Sequence, residues 1–338
     1  MKQKLLIPGL VFLALVFITY FFLKQKPAEQ GTLSGMDRAF AVKNAADIQK
    51  IFLANRIDGS TVLLERQQDH WMLNGRDRAR DNAIENLLSA VTKVQMMYKP
   101  PEAAVPNMLQ DLATRGIKVE VYGKQDKLLK VYYVGGSTSD ERGTYMIMEG
   151  AEQPYVTHIP SWEGNLRFRY NLKGDAWRDR SIFRFKPKEV ATLAVEYPTR
   201  REESFKLVPK GGGSLQVQPF YNYQEAKSSK FNPRTVDTYL EQFATIGAEA
   251  FRNDYQFQDS IRAMVPFCVF QVELNAGEQQ QIRLFPIYPE QNGPITNYST
   301  APQVERYFVD INGTDFVLAQ HRVIQKVLRG YEYFFRAE

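Results

Sequence analysis

Residues that carry redox, metal or nucleophilic chemistry are scarce in this sequence of 338 residues, which holds one cysteine and three histidines. Cys268 has no second cysteine to pair with, so an intramolecular disulfide is excluded. Its place in the apolar run MVPFCVFQV predicts a small buried core residue. His70, His158 and His321 lie far apart, and none has another histidine or a cysteine at ligand spacing. The sequence therefore predicts no metal site and no catalytic nucleophile.

Phosphate-binding loops and patches of one charge are also absent from the sequence. The run KGGGS, from Lys210 to Ser214, lacks the Gly-Lys-Ser/Thr ending of such a loop and is predicted to be a hairpin turn. The polar segment GGSTSDERGT, 135–144, is compatible with a binding loop or with a solvated turn. Mixed charges at 76–81 and at 177–180 indicate solvated surface or ion pairs between units. We therefore expect no enzyme activity and no cofactor.

One long apolar run is present, LLIPGLVFLALVFITYFFL, and no second one follows it. Its nineteen residues, Leu5 to Leu23, would span about 28 Å as a helix, which is close to the thickness of a bilayer core. A signal peptide would have a shorter apolar core and small residues at a cleavage site, whereas aromatic residues here run directly into Lys24. The run predicts a single membrane-spanning helix that stays on the mature protein.

The charges around this run predict its orientation. Lys2 and Lys4 precede it and Lys24 and Lys26 follow it, so with the amino terminus the bias is about three to two in favour of a cytoplasmic N-terminus. The net charge of the whole chain is +5, and these four lysines contribute most of it. The rest of the chain is close to neutral, which argues against nucleic acid as a partner.

The order of sequence patterns between residues 40 and 166 recurs between residues 183 and 328. Each copy opens with two alternating strands and a short third strand, which carries Trp71 in the first copy and Leu215 in the second. A helix, a hairpin and another pair of strands follow in each copy. We predict an α+β fold, in which a transmembrane helix precedes two tandem copies of an antiparallel sheet covered by helices. The predicted segments are a membrane anchor at 1–26, a linker at 27–37, a first repeat at 38–175 and a second repeat at 176–338.

The two predicted helices share the same spacing of apolar residues. The first is predicted over 82–94, with Asn82 as the N-cap and Glu85 completing a capping box. The second is predicted over 233–246, with Asn232 as the N-cap and a proline at the first helical position. The shared spacing supports a duplicated unit.

Aromatic residues provide the clearest interaction signal. Trp71 is expected to pack beneath the first helix near Leu87 or Leu88, whereas the second copy carries an aromatic insertion, PFYNYQEAKSSKF at 219–231. Exposed aromatic side chains are common in protein interfaces. We predict partner-binding roles for residues in this insertion and near the C-terminus: Tyr221, Tyr223, Tyr331, Tyr333, Phe334 and Phe335. The alternative is that these side chains close the edge of the second sheet.

Five segments follow one another along the chain: FAVKNAADIQKIFL, a strand pair ending in HWML, the helix NAIENLLSAVTKV, VGGSTSDERGTYMIMEGAEQPYVTHI and the junction WRDRSIFRFKPKEV. In this order they resemble the bacterial envelope proteins grouped as domain of unknown function 4340, known from Bacteroidota-like bacteria. The resemblance implies one N-terminal membrane helix, an extracytoplasmic body and genes beside ABC-transporter and gliding-type auxiliary subunits. It implies no known reaction and no catalytic residues. Leu215 and the aromatic insertion depart from the family pattern.

Two functions are compatible with these observations. The first is a non-enzymatic accessory or scaffold subunit of an envelope complex, such as an ABC-type transporter or gliding-type machinery. It would be anchored in the bacterial inner membrane by one helix, with its body in the periplasm and other envelope or transporter subunits as partners. The alternative is an extracytoplasmic module that binds a peptide, lipid or glycan in the cleft between the two repeats, because domain interfaces commonly form pockets.

Overall fold

The computed structural model describes residues 38–162, 164–223, 231–288 and 304–335. These residues form two compact units, one that ends at Asp179 and one that begins at Arg180. The predicted anchor and linker, residues 1–37, lie outside the described part of the chain. None of the helices within the described ranges is long and apolar enough to cross a membrane.

The first unit is built on an antiparallel sheet. Within the described residues its strands are β1 (Lys50–Asn55), β2 (Thr61–Arg66), β3 (Trp71–Leu73), β4 (Asp77–Arg78), β5 (Gln95–Tyr98), β6 (Ile117–Tyr122), β7 (Leu128–Ser137), β8 (Thr144–Met148) and β9 (Tyr155–His158). Their order across the sheet is β4-β3-β2-β1-β6-β7-β8-β9-β5. Side chains alternate between the two faces, so that Ile51 and Leu53 of β1 are buried on one face. This face forms the first core.

Helices cover both faces of this sheet. They are α1 (Asp81–Lys93) and α2 (Val105–Arg115), and short 3₁₀ turns lie at Ala45–Asp47, Glu102–Ala104, Lys124–Asp126, Leu166–Arg169 and Gly174–Trp177. The apolar stripe of α1, which includes Ile84 and Leu87, is buried in the first core. On the opposite face Leu112 of α2 packs in a smaller cluster with Tyr145 and Ile147 of β8. The first unit therefore has an α+β architecture, as predicted.

The start of α1 differs from the prediction. The helix begins at Asp81, and its N-cap is Arg80, which makes no side-chain capping bond. The predicted capping box of Asn82 and Glu85 is therefore wrong. The backbone N–H of Arg80 donates to the carbonyl of Trp177 at 2.8 Å, so a contact between distant parts of the chain positions this helix end.

Trp71 packs as predicted. Its side chain is 7 % exposed and belongs to the same core cluster as Leu87. It also lines a small cavity with Ile84 and Leu88 of α1, and the guanidinium of Arg66 lies 4.8 Å from the centroid of its ring. The prediction that Trp71 is a core residue beneath the helix is confirmed.

The second unit is built on another antiparallel sheet. In the described part of this unit the strands are β10 (Val190–Glu196), β11 (Phe205–Gly211), β12 (Ser214–Pro219), β13 (Ala250–Phe251), β14 (Cys268–Leu274), β15 (Gln279–Ile287), β16 (Arg306–Ile311) and β17 (Asp315–Gln320). Their order is β12-β11-β10-β14-β15-β16-β17-β13. The predicted turn at KGGGS is confirmed, because it joins β11 to β12 and Gly211, Gly212 and Gly213 all have positive φ angles.

The helices of the second unit are α3 (Pro233–Phe243), α4 (Gln258–Arg262) and α5 (His321–Ile324), with 3₁₀ turns at Pro187–Glu189, Arg201–Glu203 and Tyr331–Phe335. The predicted start of α3 is confirmed, since the Asn232 side chain accepts a hydrogen bond from the N–H of Arg234 at 3.1 Å. The helix ends at Phe243, three residues before the predicted end. Val236, Tyr239 and Leu240 face the second core.

The two sheets have the same strand order. Read from one edge, β3-β2-β1-β6-β7-β8-β9-β5 of the first unit corresponds to β12-β11-β10-β14-β15-β16-β17-β13 of the second. In both units the edge strand β5 or β13 follows the long helix that packs on the core, α1 or α3. Strand β4 has no counterpart in the described residues of the second unit.

The second core is rich in aromatic side chains. Phe183, Phe243 and Phe270 meet edge to face, with ring centroids 4.7 to 5.8 Å apart. Cys268 lies in this core and is fully buried, as predicted. Burial raises the pKa of the Cys268 thiol well above its ordinary value, so the reactive thiolate is disfavoured.

Candidate functional site

Two of the six predicted site residues form a ring pair at the end of β12. The rings of Tyr221 and Tyr223 stack with centroids 5.3 Å apart and planes 17° apart. The Tyr221 hydroxyl donates to Oε1 of Glu196 at 2.6 Å, and the guanidinium of Arg201 lies 5.4 Å from the centroid of the Tyr221 ring. The end of β10, the 3₁₀ turn that follows it and the end of β12 together hold this cluster. We call Glu196, Arg201, Tyr221 and Tyr223 the tyrosine surface.

The tyrosine surface combines a fixed ring with an exposed one. Tyr223 is 67 % exposed although its ring is stacked on Tyr221. Desolvation and then the hydrogen bond to Glu196 raise the pKa of Tyr221 to about 12, so its hydroxyl stays protonated at neutral pH. A hydrogen bond with Tyr223 raises the pKa of Arg201, which keeps its charge. The surface therefore offers an aromatic face and a cation.

The C-terminal aromatic residues lie differently. Phe334 is 0 % exposed and packs against Phe205 and Tyr239, with ring centroids 4.8 and 5.5 Å away. Tyr331 is also buried in the second core, whereas Tyr333 and Phe335 are partly buried at its margin. These residues form a 3₁₀ turn, in which positions three apart share one face, so Tyr331 and Phe334 both point inward. The turn closes the core beside α3, and Tyr223 is the most exposed of the six residues.

The histidines make local contacts only. The hydroxyl of Tyr307 and Nδ1 of His321 form a hydrogen bond of 3.1 Å, and Nδ1 of His70 lies 2.7 Å from Oδ1 of Asp69. Across the described ranges no three His, Cys, Asp or Glu side chains come together in a way that could hold a metal ion.

Sequence reasoning missed a buried ion cluster on β16. The carboxylate of Asp310 is 1 % exposed and accepts hydrogen bonds from Nε of Arg262 at 2.8 Å and from Nε of Arg283 at 3.0 Å. The alternation of RYFVDI places Asp310 on the face opposite Tyr307 and could have indicated an exposed carboxylate. The contact with Arg262 of α4 buries it instead. This cluster attaches α4 to the sheet, which is a structural role.

Sequence reasoning also missed a cavity of about 930 Å³ in the second unit. It lies at the end of the sheet where β10 and β17 finish and where β14 and β16 begin. Its lining combines aromatic and charged side chains: Tyr197, Phe267, Tyr307, His321, Arg200, Glu203, Arg322, Lys326 and Arg329. These residues come from four separate parts of the chain, so no local motif marks them.

Comparison with family models gives one match, described as Domain of unknown function (DUF4340), over residues 71–260. The match covers more than half of the chain. The chain belongs to the DUF4340 family. Its resemblance to this family, identified above from the order of five segments, is thereby confirmed. The matched residues run from β3 of the first unit into α4 of the second, so the DUF4340 match includes parts of both units and the tyrosine surface. No curated protein and no solved structure matches the chain.

Proposed function

We propose that this DUF4340 protein is a membrane-anchored, non-enzymatic accessory subunit whose extracytoplasmic body binds another protein of an envelope complex. The anchor is the apolar run Leu5 to Leu23, which is long enough to cross a bilayer as a helix. The lysine bias around this run favours a body outside the cytoplasm. The resemblance described above points to transporter or gliding-type subunits as the class of partner.

We further propose that the body arose by duplication of one α+β unit. The matching strand orders of the two sheets support this proposal, and so do the equivalent positions of α1 and α3 in the chain order. Superposition of the two sheets strand by strand, followed by comparison of the two helix axes, tests it. If α1 and α3 lie on different faces of the superposed sheets, the duplication is excluded.

The proposal of partner binding rests mainly on the exposed ring of Tyr223. An exposed tyrosine in water samples several rotamers, and ordering it in an interface costs free energy. Stacking on Tyr221, which is itself held by Glu196, orders the Tyr223 ring before any partner arrives. Pre-ordered aromatic side chains beside an arginine are typical of residues that dominate binding in protein interfaces.

Recovery of a partner from native membranes tests the proposed function. The full chain is purified in mild detergent, its co-purifying proteins are identified, and their recovery is compared between the parent and Tyr223→Ala. We expect the variant to stay folded and membrane-bound but to lose most of its partner, since an interface anchor contributes on the order of 2 kcal/mol.

The matched control is Tyr98→Ala, which removes an exposed tyrosine of the first unit that is 40 % exposed. Recovery of the partner with this control should equal that of the parent. If Tyr223→Ala also recovers the partner as well as the parent does, the tyrosine surface is not the interface.

A further inference from the structure

The cavity of the second unit has the size of a small-molecule site. Its volume of about 930 Å³ falls within the range of about 300 to 1,000 Å³ that is common for ligand pockets. Its floor is the end of the second core, and its walls are the turn after β10 and the segment 321–329 after β17.

The floor is aromatic, and its hydroxyl groups already have partners. Tyr197 and Tyr307 are almost fully buried, and Phe267 lies 6.0 Å from each of them, measured between ring centroids. The Tyr197 hydroxyl donates to the carbonyl of Arg329 at 2.9 Å, and the Tyr307 hydroxyl pairs with His321. Because the rings of Tyr197 and Tyr307 are covered, the partly exposed ring of Phe267 is the aromatic surface that the floor offers to an apolar or planar group.

The walls carry an excess of positive charge. Arg200, Arg322, Lys326 and Arg329 line the cavity, and Glu203 is the one carboxylate among the lining residues that the structure describes. Glu203 pairs with Arg200 at 3.0 Å, so this pair is neutral. Within the described residues no carboxylate lies within ion-pair distance of Arg322, Lys326 or Arg329. Among the described residues, three positive charges of the lining therefore have no carboxylate partner.

The Arg200–Glu203 pair lies against the aromatic floor. The guanidinium of Arg200 lies 5.1 Å from the ring centroid of Tyr197 and 4.9 Å from that of Phe267. Cation–π contacts and the bond to Glu203 together hold Arg200 against the floor. Arg322 and Lys326 also line the cavity, and both side chains are exposed.

We propose that this cavity binds a phosphate monoester that carries an aromatic or aliphatic body. The phosphate lies among Arg322, Lys326 and Arg329, and the body lies on the partly exposed ring of Phe267. Three uncompensated cations match a doubly charged phosphate better than a singly charged carboxylate, and arginine donates two parallel hydrogen bonds to a phosphate. This inference is independent of the tyrosine surface, which uses Arg201 rather than Arg200.

Calorimetry of the full chain in detergent tests the inference with phenyl phosphate as the probe. We expect measurable binding of phenyl phosphate and weaker binding of inorganic phosphate, which lacks the body, and of phenol, which lacks the charge. Raising the salt from about 0.05 M to about 0.5 M should weaken binding, because exposed charges are screened. If phenol binds as well as phenyl phosphate, or if phenyl phosphate does not bind, the inference is wrong.

Charge-reversal variants test whether phenyl phosphate binds in this cavity. Arg322→Glu with Lys326→Glu should weaken binding of phenyl phosphate at least about tenfold, since two charge-assisted bonds are replaced by repulsion. The matched control is Arg234→Glu with Lys210→Glu, which makes the same charge change at exposed positions outside the cavity and should bind as the parent does. Circular dichroism confirms folding of both variants, and Lys326→Gln serves if the reversal unfolds the chain. Equal affinity of parent and cavity variant overturns the inference.

Competition experiments distinguish a phospholipid headgroup from a soluble phosphate ester as the natural ligand. Displacement of phenyl phosphate by dihexanoyl phosphatidic acid, but not by glycerol 3-phosphate, would identify a lipid headgroup with its acyl chains. Displacement by glycerol 3-phosphate, but not by dihexanoyl phosphatidic acid, would identify a soluble phosphate ester. If neither competes and phenyl phosphate binding survives charge reversal, the probe binds elsewhere and the inference fails.

Discussion

The corresponding ends of the two sheets are closed in different ways. In the first unit, at the end where β1 finishes and β8 begins, the amide of Asn55 donates to Oδ1 of Asn171 at 2.8 Å. The N–H of Leu166 donates to the hydroxyl of Thr144 at 2.8 Å. The segment after β9 thus folds over this sheet end, where Arg167 donates to backbone carbonyls and Lys173 pairs with Asp58 at 2.7 Å.

In the second unit the segment after β17 also folds back, but it leaves an open cavity. Backbone carbonyls of Val327 and Arg329 accept hydrogen bonds from Tyr239 and Tyr197, each at 2.9 Å. The arginine and lysine side chains of this segment stay at the cavity wall. Charged side chains at the first sheet end are held by backbone carbonyls or by a carboxylate, whereas Arg322 and Lys326 at the second end are exposed to water. The same strand order therefore carries a closed end in one unit and an open end in the other.

The largest expected effect concerns the helix-covered cores. Trp71→Ala removes a buried indole and should lower the free energy of unfolding of the first unit by about 3 to 5 kcal/mol. Leu215→Ala changes the partly buried residue on the corresponding strand of the second unit and should cost less than about 2 kcal/mol. All three tryptophans, Trp71, Trp162 and Trp177, lie in the first unit, so fluorescence during urea unfolding monitors that unit, and far-ultraviolet circular dichroism of the whole chain measures Leu215→Ala. Equal losses in both variants would contradict the packing described for Trp71.

The second prediction compares the stability cost of removing a buried and a partly buried aromatic side chain near the C-terminus. Phe334→Ala should destabilise the second unit by about 3 to 4 kcal/mol, because it leaves a cavity between Phe205 and Tyr239. Tyr333→Ala, at the next position, should cost about 1 kcal/mol or less. Tyrosine circular dichroism during urea unfolding measures both. A larger loss for Tyr333→Ala would mean that the 3₁₀ turn faces the other way.

The third prediction concerns the two sheet ends directly. Asn55→Ala removes the bond to Asn171 and another to the N–H of Ile57, so it should cost about 1 to 2 kcal/mol in the first unit. Arg322→Ala at the open end should change stability by about 0.5 kcal/mol or less. Urea unfolding of both variants checks the contrast. If Arg322→Ala is the more costly change, the cavity wall is a structural element and not a free surface.

The smallest expected effect is a change in alkaline stability. Burial raises the pKa of Tyr307 to about 12, and it also raises the pKa of Tyr197 and Tyr239 well above the ordinary value. The folded state holds these protons more tightly, so stability is complete below about pH 10 and falls as the pH rises towards about 12. Tyr307→Phe removes one of the three titrations and should make this fall shallower. Urea unfolding at about pH 9 and about pH 11 measures the slope for the parent and for the variant.

Local patterns were sufficient to predict most of the secondary structure. Alternation of apolar and polar residues predicted the strands. The Asn-Pro pair at 232–233 predicted the start of α3, because an N-cap and a proline act on the backbone beside them. The glycine run at 211–213 marked a turn, since its positive φ angles suit glycine. The start of α1 was not predicted correctly, because a backbone bond between Arg80 and Trp177, nearly a hundred positions apart, decides it.

The sequence by itself determined the α+β class, the buried state of Cys268 and Trp71, and membership of the DUF4340 family. It could do so because hydrophobic periodicity, turn residues and segment order are properties of neighbouring positions. Only the tertiary structure decided which aromatic residues are exposed and where a cavity forms. Phe334 is buried and Tyr223 exposed although both lie among aromatic neighbours, because strands and turns distant in the chain cover one and not the other. The cavity likewise exists because Arg200, Phe267, Tyr307 and Arg322 meet at one sheet end, and their separation along the chain hides that meeting from any local pattern.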